Sequence, residues 1–194
     1  MARPSQNLDR KMIELGKEKT VTMGLSNLSV RQICLDAGIN LGMFYYYFKS
    51  KENYIRAIFS SLNEDMKNNC IKQAEKSSNS KERLKKILLL NAKMAKESKG
   101  MIETIIKGTD IFDKLYVEIG KEFHESWMKF YISLVDACKN DGYFNKETGS
   151  EELVAIFLGT LHHYSKICEH HIMDSEQHYK KIEDMMDFLM EKFK

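Results

Sequence analysis

The chain has 194 residues, 43% of them hydrophobic and 30% charged, with one proline, four cysteines and a formal net charge of +2. That is enough chain for one or two small globular domains with a substantial core. No run approaches the ~18 to 20 consecutive apolar residues of a membrane span, the first residues lack the apolar centre of a signal peptide, and Cys34, Cys70, Cys138 and Cys168 show no Cys-x-x-Cys spacing. A cytoplasmic protein with buried free thiols is therefore expected, and a transmembrane, secreted or zinc-finger protein is not.

The small net charge hides a polarity. Residues 1–60 carry nine Lys or Arg against five Asp or Glu, a net of +4, and the remainder carries 21 against 23, a net of −2. A basic head on a mildly acidic body suits a head that meets phosphate. The tail Met1 to Asn7, with Arg3 and Pro4, is expected to be disordered, with an arm reaching DNA as the alternative.

Helical periodicity with almost no proline predicts an all-α fold of about nine helices. The first runs from about Leu8 to Thr22, turns Leu8, Met12, Ile13 and Leu15 inward, and ends at Gly24. Ser29 with Gln32 three residues on forms a capping box for a short second helix whose apolar face is Val30, Ile33, Cys34 and Ala37. Gly38 then supplies a positive φ, Ile39 an apolar plug and Asn40 an N-cap, so a third helix starts at Leu41. Two short helices around so tight a turn, with small Ala37 where they cross, make the geometry that presents a second helix to a major groove.

The outward face of that third helix is Gly42, Met43, Tyr45 and Tyr46, while Phe44, Tyr47 and Phe48 pack inward. Gly42 permits close backbone approach, and each tyrosine offers a hydroxyl donor on an apolar ring. Ser50 caps the fourth helix, Lys51 sets an ammonium beside the positive end of its dipole, jointly a phosphate site, and Lys49 adds to it. This fourth helix runs to about Glu75 through Ile55, Ile58, Phe59, Leu62, Met66 and Ile71, as a coupling rod between head and body.

After the polar break Ser77 to Ser80, Leu84, Ile87, Leu88, Ala92 and Ala95 define a fifth helix ending near Gly100, and a sixth covers Met101 to about Ile111. The seventh extends from about Lys114 to Asn140, with Leu115, Ile119, Phe123, Trp127, Phe130, Tyr131, Leu134 and Ala137 on its apolar side, and Asp141-Gly142 stops it. Ser150 caps an eighth, with Glu151 and Glu152 at its positive end, running to about Met173. Asp174 and Gln177 open a ninth carrying Tyr179, Ile182, Met185, Met186, Leu189 and Phe193.

The run Ala37, Gly38, Ile39, Asn40, Gly42, Phe44, Tyr45, Tyr47, Phe48, Lys49, Ser50, Lys51, Glu52 resembles the tetracycline-repressor (TetR) family of bacterial transcription regulators. The likeness is specific over roughly Leu8 to Phe59 and rests on length and helical character beyond. It implies a helix-turn-helix DNA-binding domain over residues 1–52 and a helical ligand-binding and dimerisation domain over 53–194. It also implies contacts from Ser29, Tyr45, Tyr46 and Lys51 to phosphates or nearby bases. With Gly42, Met43 and Lys49 these form the expected DNA-binding set. Met43 departs from the small hydroxyl residue common after the recognition-helix glycine, so a contact there is apolar, as to a thymine methyl.

The resemblance further implies a homodimer through the last two helices, reading a palindromic operator, and an effector pocket among helices five to eight. Met94, Met101, Phe112, Tyr116, Phe123, Trp127, Phe130 and Tyr131 would line it and suit an apolar or aromatic small molecule, though each alone is more often ordinary core. The expected function is a repressor released from its operator by that effector, with no cofactor and no bound metal.

Five of the six histidines, His162, His163, His170, His171 and His178, lie near Cys168, Glu169 and Asp174. This cluster leaves open a metal- or redox-responsive protein, or a metal-dependent enzyme using the eighth helix. A polar helix face or dimer seam is the plainer reading, because i, i+4 histidine pairs are missing. No nucleophile–base–orienter set, glycine-rich phosphate loop or paired-carboxylate motif points to catalysis.

Overall fold

The computed structural model describes residues 7–97, 113–169 and 175–194. All regular structure among them is helical: α1 Leu8–Met23, a 3-10 turn Leu25–Asn27, α2 Val30–Ala37, α3 Leu41–Phe48, α4 Lys51–Ala74, α5 Ser80–Glu97, α6 Lys114–Asn140, α7 Ser150–Glu169 and α8 Ser175–Lys192. The expected helix over Met101 to Ile111, the tail with Arg3 and Pro4, and the stretch of the expected eighth helix beyond Glu169 lie outside the described residues. No described helix is long and apolar enough to cross a membrane.

The contacts divide the chain into two compact units, Met1–Lys67 with Ser98–Phe123, and Asn68–Glu97 with His124–Lys194. In the first, α1, α2, α3 and the opening turns of α4 close on a core of Met12, Leu25, Leu28, Ile33, Cys34, Ala37, Phe44, Phe48, Tyr54, Ile55, Ile58 and Ile119. Its centre is aromatic: the Phe44 ring lies 5.2 Å from Phe48 and 5.0 Å from Tyr54, and Phe48 lies 4.8 Å from Tyr54, tilted or edge-on in each case. Such pairs add to the roughly 1.5–3 kcal/mol gained by burying each ring. Tyr54 is fully buried, and its hydroxyl donates to the Met12 carbonyl at 2.6 Å, which ties α4 to α1.

Ionic ties surround that core. Lys17 on α1 meets Glu14 and reaches Asp65 on α4. Arg56 on α4 bridges Glu118 and Glu122, one turn apart on α6. Lys11 donates to the Ala37 carbonyl at 3.0 Å, placing a cation at the negative end of α2.

In the second unit the buried residues are Cys70, Ala74, Leu84, Ile87, Leu88, Trp127, Tyr131, Val135, Cys138, Phe144, Leu153, Val154, Phe157, Leu161, Ile182, Met186 and Met190, with Ala92 at its edge. Lys85 on α5 pairs with Glu183 (3.0 Å) and Asp187 (2.8 Å) on α8, and Lys81 pairs with Glu191 (2.6 Å). Cys34, Cys70 and Cys138 are buried free thiols.

Two local expectations are corrected. Ser150 does not cap α7 with its side chain: its hydroxyl donates to Asp136 at 2.5 Å and accepts from Lys139 at 2.8 Å, pinning the end of α6 to the start of α7. On α6 the inward stripe continues through Val135 and Cys138, whereas Ala137 is exposed. Position 138, seven beyond Tyr131, keeps to the buried face better than 137 does.

Candidate nucleic-acid interface

The helix-turn-helix is built from local signals that the structure satisfies one by one. Ser29 is the N-cap of α2, its hydroxyl accepting from the Gln32 amide at 3.4 Å. The reciprocal half of the capping box is absent, because the Gln32 side chain donates instead to Asp36 at 2.7 Å. At the other end Gly38 is left-handed (φ 72°, ψ 35°), its amide bonds to Leu35 and the Ile39 amide to Cys34, a Schellman ending that only glycine makes without strain. Asn40 then caps α3, its side-chain oxygen accepting from the Met43 amide at 2.9 Å. A Cβ on Gly42 would stand 3.3 Å from that oxygen, so glycine also keeps the cap uncrowded.

The third helix divides as its pattern predicts. Phe44 and Phe48 are buried and Tyr47 packs partly against the core, while Tyr45 is 44% and Tyr46 62% exposed. Met43 is half-buried and Gly42 exposed. Ser29 and Arg31 on α2 are exposed as well, and Arg31, passed over by the sequence reading, enters no ion pair among the described residues. Its place two residues after the N-cap was the signal available.

Of the basic residues behind the head's positive count, Lys11 caps α2, Lys17 and Arg56 are ion-paired, and Lys19 pairs with Asp36 at 2.7 Å. Among the described residues the cations of the head left outside any ion pair are Arg10, Arg31 and Lys51, with Lys49 folded onto its own helix and Arg3 outside the described residues. At the start of α4, Ser50 accepts from the Asn53 amide at 3.1 Å. The Glu52 carboxyl is held below its ordinary range by its own backbone amide and then by the Ser50 hydroxyl. The positive end of the α4 dipole is thus partly engaged by Glu52, beside which Lys51 stands half-buried on the first turn.

The Lys19–Asp36–Gln32 cluster holds α2 against α1. The hydrogen bond from Lys19, then that from Gln32, keeps the Asp36 carboxyl below its usual value. A group whose folded pKa is lowered contributes stability in full above its unfolded pKa of about 4, and loses it as pH falls through the folded value. The stability difference between the wild type and Asp36→Asn is therefore expected to be constant at neutral pH and to shrink as urea unfolding is repeated at pH values descending below 4. A difference that stays constant down to acid would show that Asp36 does not titrate with folding.

The expected effector residues fall in different places. Tyr116 is in the first unit, packed beside the aromatic core, and Phe123 ends that unit. In the second unit Trp127, Phe130 and Tyr131 touch ring to ring, with centroids 5.5 to 5.9 Å apart. Met94 lies there too, its sulfur 3.6 Å from Cys70 Sγ. The Tyr131 hydroxyl is buried with no hydrogen-bond partner among the described residues, and burial, then the nearby Cys70, raises its pKa strongly, so it stays a neutral donor. Met101 and Phe112 lie outside the described residues, as do His170, His171, Asp174 and the side chains of Cys168, Glu169 and His178. His162 and His163 are exposed on α7, and no group of three or more His, Cys, Asp or Glu gathers among the described residues.

A capped short helix, a left-handed glycine turn and a second short helix with exposed tyrosines and flanking cations define a helix-turn-helix DNA-binding regulator. Residues 21–58, which hold this motif, match the family model described as bacterial regulatory proteins, tetR family. A comparison with curated proteins returned no match. Solved structures similar to the chain include a protein from Rhodococcus sp. described as a TetR-family transcriptional regulator (TM-score 0.71, 13% identity, covering 95% of this chain and 98% of that one). Two others are fatty acid degradation regulators named FadR. The Bacillus halodurans protein has TM-score 0.61 and 20% identity, covering 96% of each chain. The Bacillus subtilis protein, solved in complex with stearoyl-CoA, has TM-score 0.60 and 13% identity, covering 91% of this chain and 96% of that one. At these identities the likeness is one of fold.

Proposed function

We propose that this chain is a transcriptional repressor in the cytoplasm that binds a palindromic operator as a homodimer and leaves it when a small apolar or aromatic effector occupies the second unit. The observation that carries the DNA-binding half is the exposed tyrosine pair of α3, set beside the capped start of α2 and Lys51, which enters no ion pair among the described residues. The contacting residues are Ser29, Gly42, Met43, Tyr45, Tyr46 and Lys51, with the Lys49 ammonium folded back onto α3 beside them. Ser29 and Lys51 meet phosphate, Met43 and the tyrosine rings meet base edges, and Gly42 lets backbone approach.

Dimerisation through α7 and α8 is supported by two large apolar side chains left in solvent, Ile156 (38% exposed) and Phe188 (54% exposed). A two-fold axis supplies the second recognition helix that a palindrome needs, one turn of DNA or ~34–36 Å away. The effector role is supported by Met94 with the Trp127, Phe130 and Tyr131 ring cluster, where the unpartnered phenol offers a donor to a ligand oxygen. That another regulator of this fold holds stearoyl-CoA is consistent with an apolar effector. Of the other residues expected in the lining, Tyr116 and Phe123 belong to the first unit, and Met101 and Phe112 lie outside the described residues, so the proposed site in the second unit is drawn without them. An effector that binds one arrangement of the dimer better than the other shifts the separation of the recognition helices, and a few ångströms suffices to lose one half-site.

The test is selection of bound duplexes from a random pool, followed by affinity for the enriched sequence at several salt concentrations. A palindromic consensus with a steep negative salt slope is expected. Enrichment of nothing, with weak binding to any duplex, would overturn the proposal.

A further inference from the structure

Lys49 is the one described residue other than glycine with a positive φ (65°, with ψ −39°). Across it the Ser50 amide donates to the Phe48 carbonyl at 2.8 Å, which makes the joint between α3 and α4 a γ-turn of the rare, strained, positive-φ kind. Glycine would enter this conformation freely, yet lysine occupies it.

The turn sends the lysine stem back along α3. Its Nζ donates to the Tyr46 carbonyl at 2.8 Å and stands 5.2 Å from the Tyr46 ring centroid, while its backbone amide donates to Tyr45 at 3.1 Å. Both ends of Lys49 therefore grip the last turn of α3. Its ammonium sits where the helix dipole is negative, and over the π-face of the most exposed tyrosine of that helix. Among the described residues the Tyr46 ring, 62% exposed, has one other ring contact, edge-on to Tyr47 at 5.4 Å.

We propose that Lys49 is a positioning residue that acts on DNA through Tyr46: the strained turn aims its stem, and its ammonium clamps the tyrosine ring in the orientation presented to the groove, so that Lys49 is not itself a phosphate ligand. This rests on reading α3 as the helix that faces DNA. Phosphate binding and ring positioning leave different marks. A lost phosphate contact flattens the salt dependence, whereas a loosened tyrosine weakens binding at every salt concentration alike.

The clamp is tested first in the free protein by NMR. The Lys49 ε-methylene protons are expected to be shifted upfield by the Tyr46 ring, and the shift is expected to vanish in Tyr46→Leu. Ordinary lysine shifts in the wild type would overturn the proposal without any DNA. Its consequence is then read on the duplex enriched by the wild-type protein. Lys49→Gly relieves the turn and is expected to melt no lower than wild type, yet to bind about tenfold more weakly, the loss of a charge-assisted hydrogen bond and a cation–π contact. Its salt slope should be unchanged. Lys49→Arg, which keeps a cation able to sit on the ring, should bind within about twofold of wild type. Combining Lys49→Gly with Tyr46→Leu should weaken binding no further than Tyr46→Leu alone.

Unchanged affinity in Lys49→Gly, or a slope shallower by about one per protomer, would overturn the positioning role. Tyr45→Ala separates the two readings. If it binds like wild type, α3 does not face DNA and the positioning role on DNA falls with that reading, while the NMR signature still reports the clamp.

Discussion

Gly16→Ala is expected to lower the stability of the head by about 2–3 kcal/mol, a fall in Tm of roughly 5–10 °C, although alanine is the better helix former by about 1 kcal/mol. The reason is where α4 crosses α1. A Cβ built on Gly16 would meet the Tyr54 hydroxyl inside contact distance and stand 2.5 Å from Ile58 Cδ1 and 2.9 Å from Ile58 Cγ1. Ile58 could rotate only within a fully buried core, and Tyr54 could withdraw only by giving up its bond to the Met12 carbonyl and its place between Phe44 and Phe48.

Tyr54→Phe alone should cost about 1 kcal/mol through the lost hydrogen bond, yet placed in the Gly16→Ala background it should recover part of the loss, because the atom the new methyl strikes has gone. Denaturant unfolding of the four proteins of this cycle measures the coupling. Strict additivity would mean that Gly16 matters for some reason other than this crossing.

That contact illustrates what the amino-acid sequence could and could not disclose. The helix-turn-helix was readable because its determinants are local: Ser29, Asn40 and Ser50 cap the helices they precede, and Gly38 ends α2 within five residues of its last apolar contact. The division of α3 into Phe44 and Phe48 inward and Tyr45 and Tyr46 outward follows from helical period alone. Gly16, by contrast, reads as an indifferent glycine inside a helix, since its role depends on a tyrosine 38 positions away in the chain. Lys49 gives no sign either, because a positive φ is announced by glycine or asparagine and this chain puts lysine there. Charge was legible as a sum and illegible as a pattern. The head's excess of cations was visible, but the commitment of Lys17 to Asp65 and of Arg56 to Glu118 and Glu122 is set by helix packing across 48 to 66 positions. Ser150 has the residue type of a cap and a nearer partner in Asp136.

The largest effects on DNA binding are expected from Lys51→Ala and Tyr45→Ala, each weakening affinity for the enriched duplex by roughly 30- to 150-fold. The size follows from symmetry: a phosphate or hydroxyl contact is worth about 1–1.5 kcal/mol per protomer, and a dimer loses it at both half-sites, hence about 2–3 kcal/mol in all. The two variants should differ in kind. Lys51 carries a charge, so its removal should reduce the salt slope by about two per dimer, whereas Tyr45 is neutral and its removal should leave the slope unchanged. Tyr45→Ala also strips an edge-on ring from Phe44, 5.3 Å away, and so weakens the core as well as the interface. Tyr45→Phe keeps that ring and removes only the hydroxyl: an affinity loss close to that of Tyr45→Ala would assign the contact to the O–H, and near wild-type binding would assign it to the ring. A slope change of about one for Lys51→Ala would mean that a single head engages each duplex. No change would mean that the start of α4 does not meet phosphate, and the Glu52 carboxylate bound at that helix end supplies the reason, since it already satisfies the charge that a phosphate would seek.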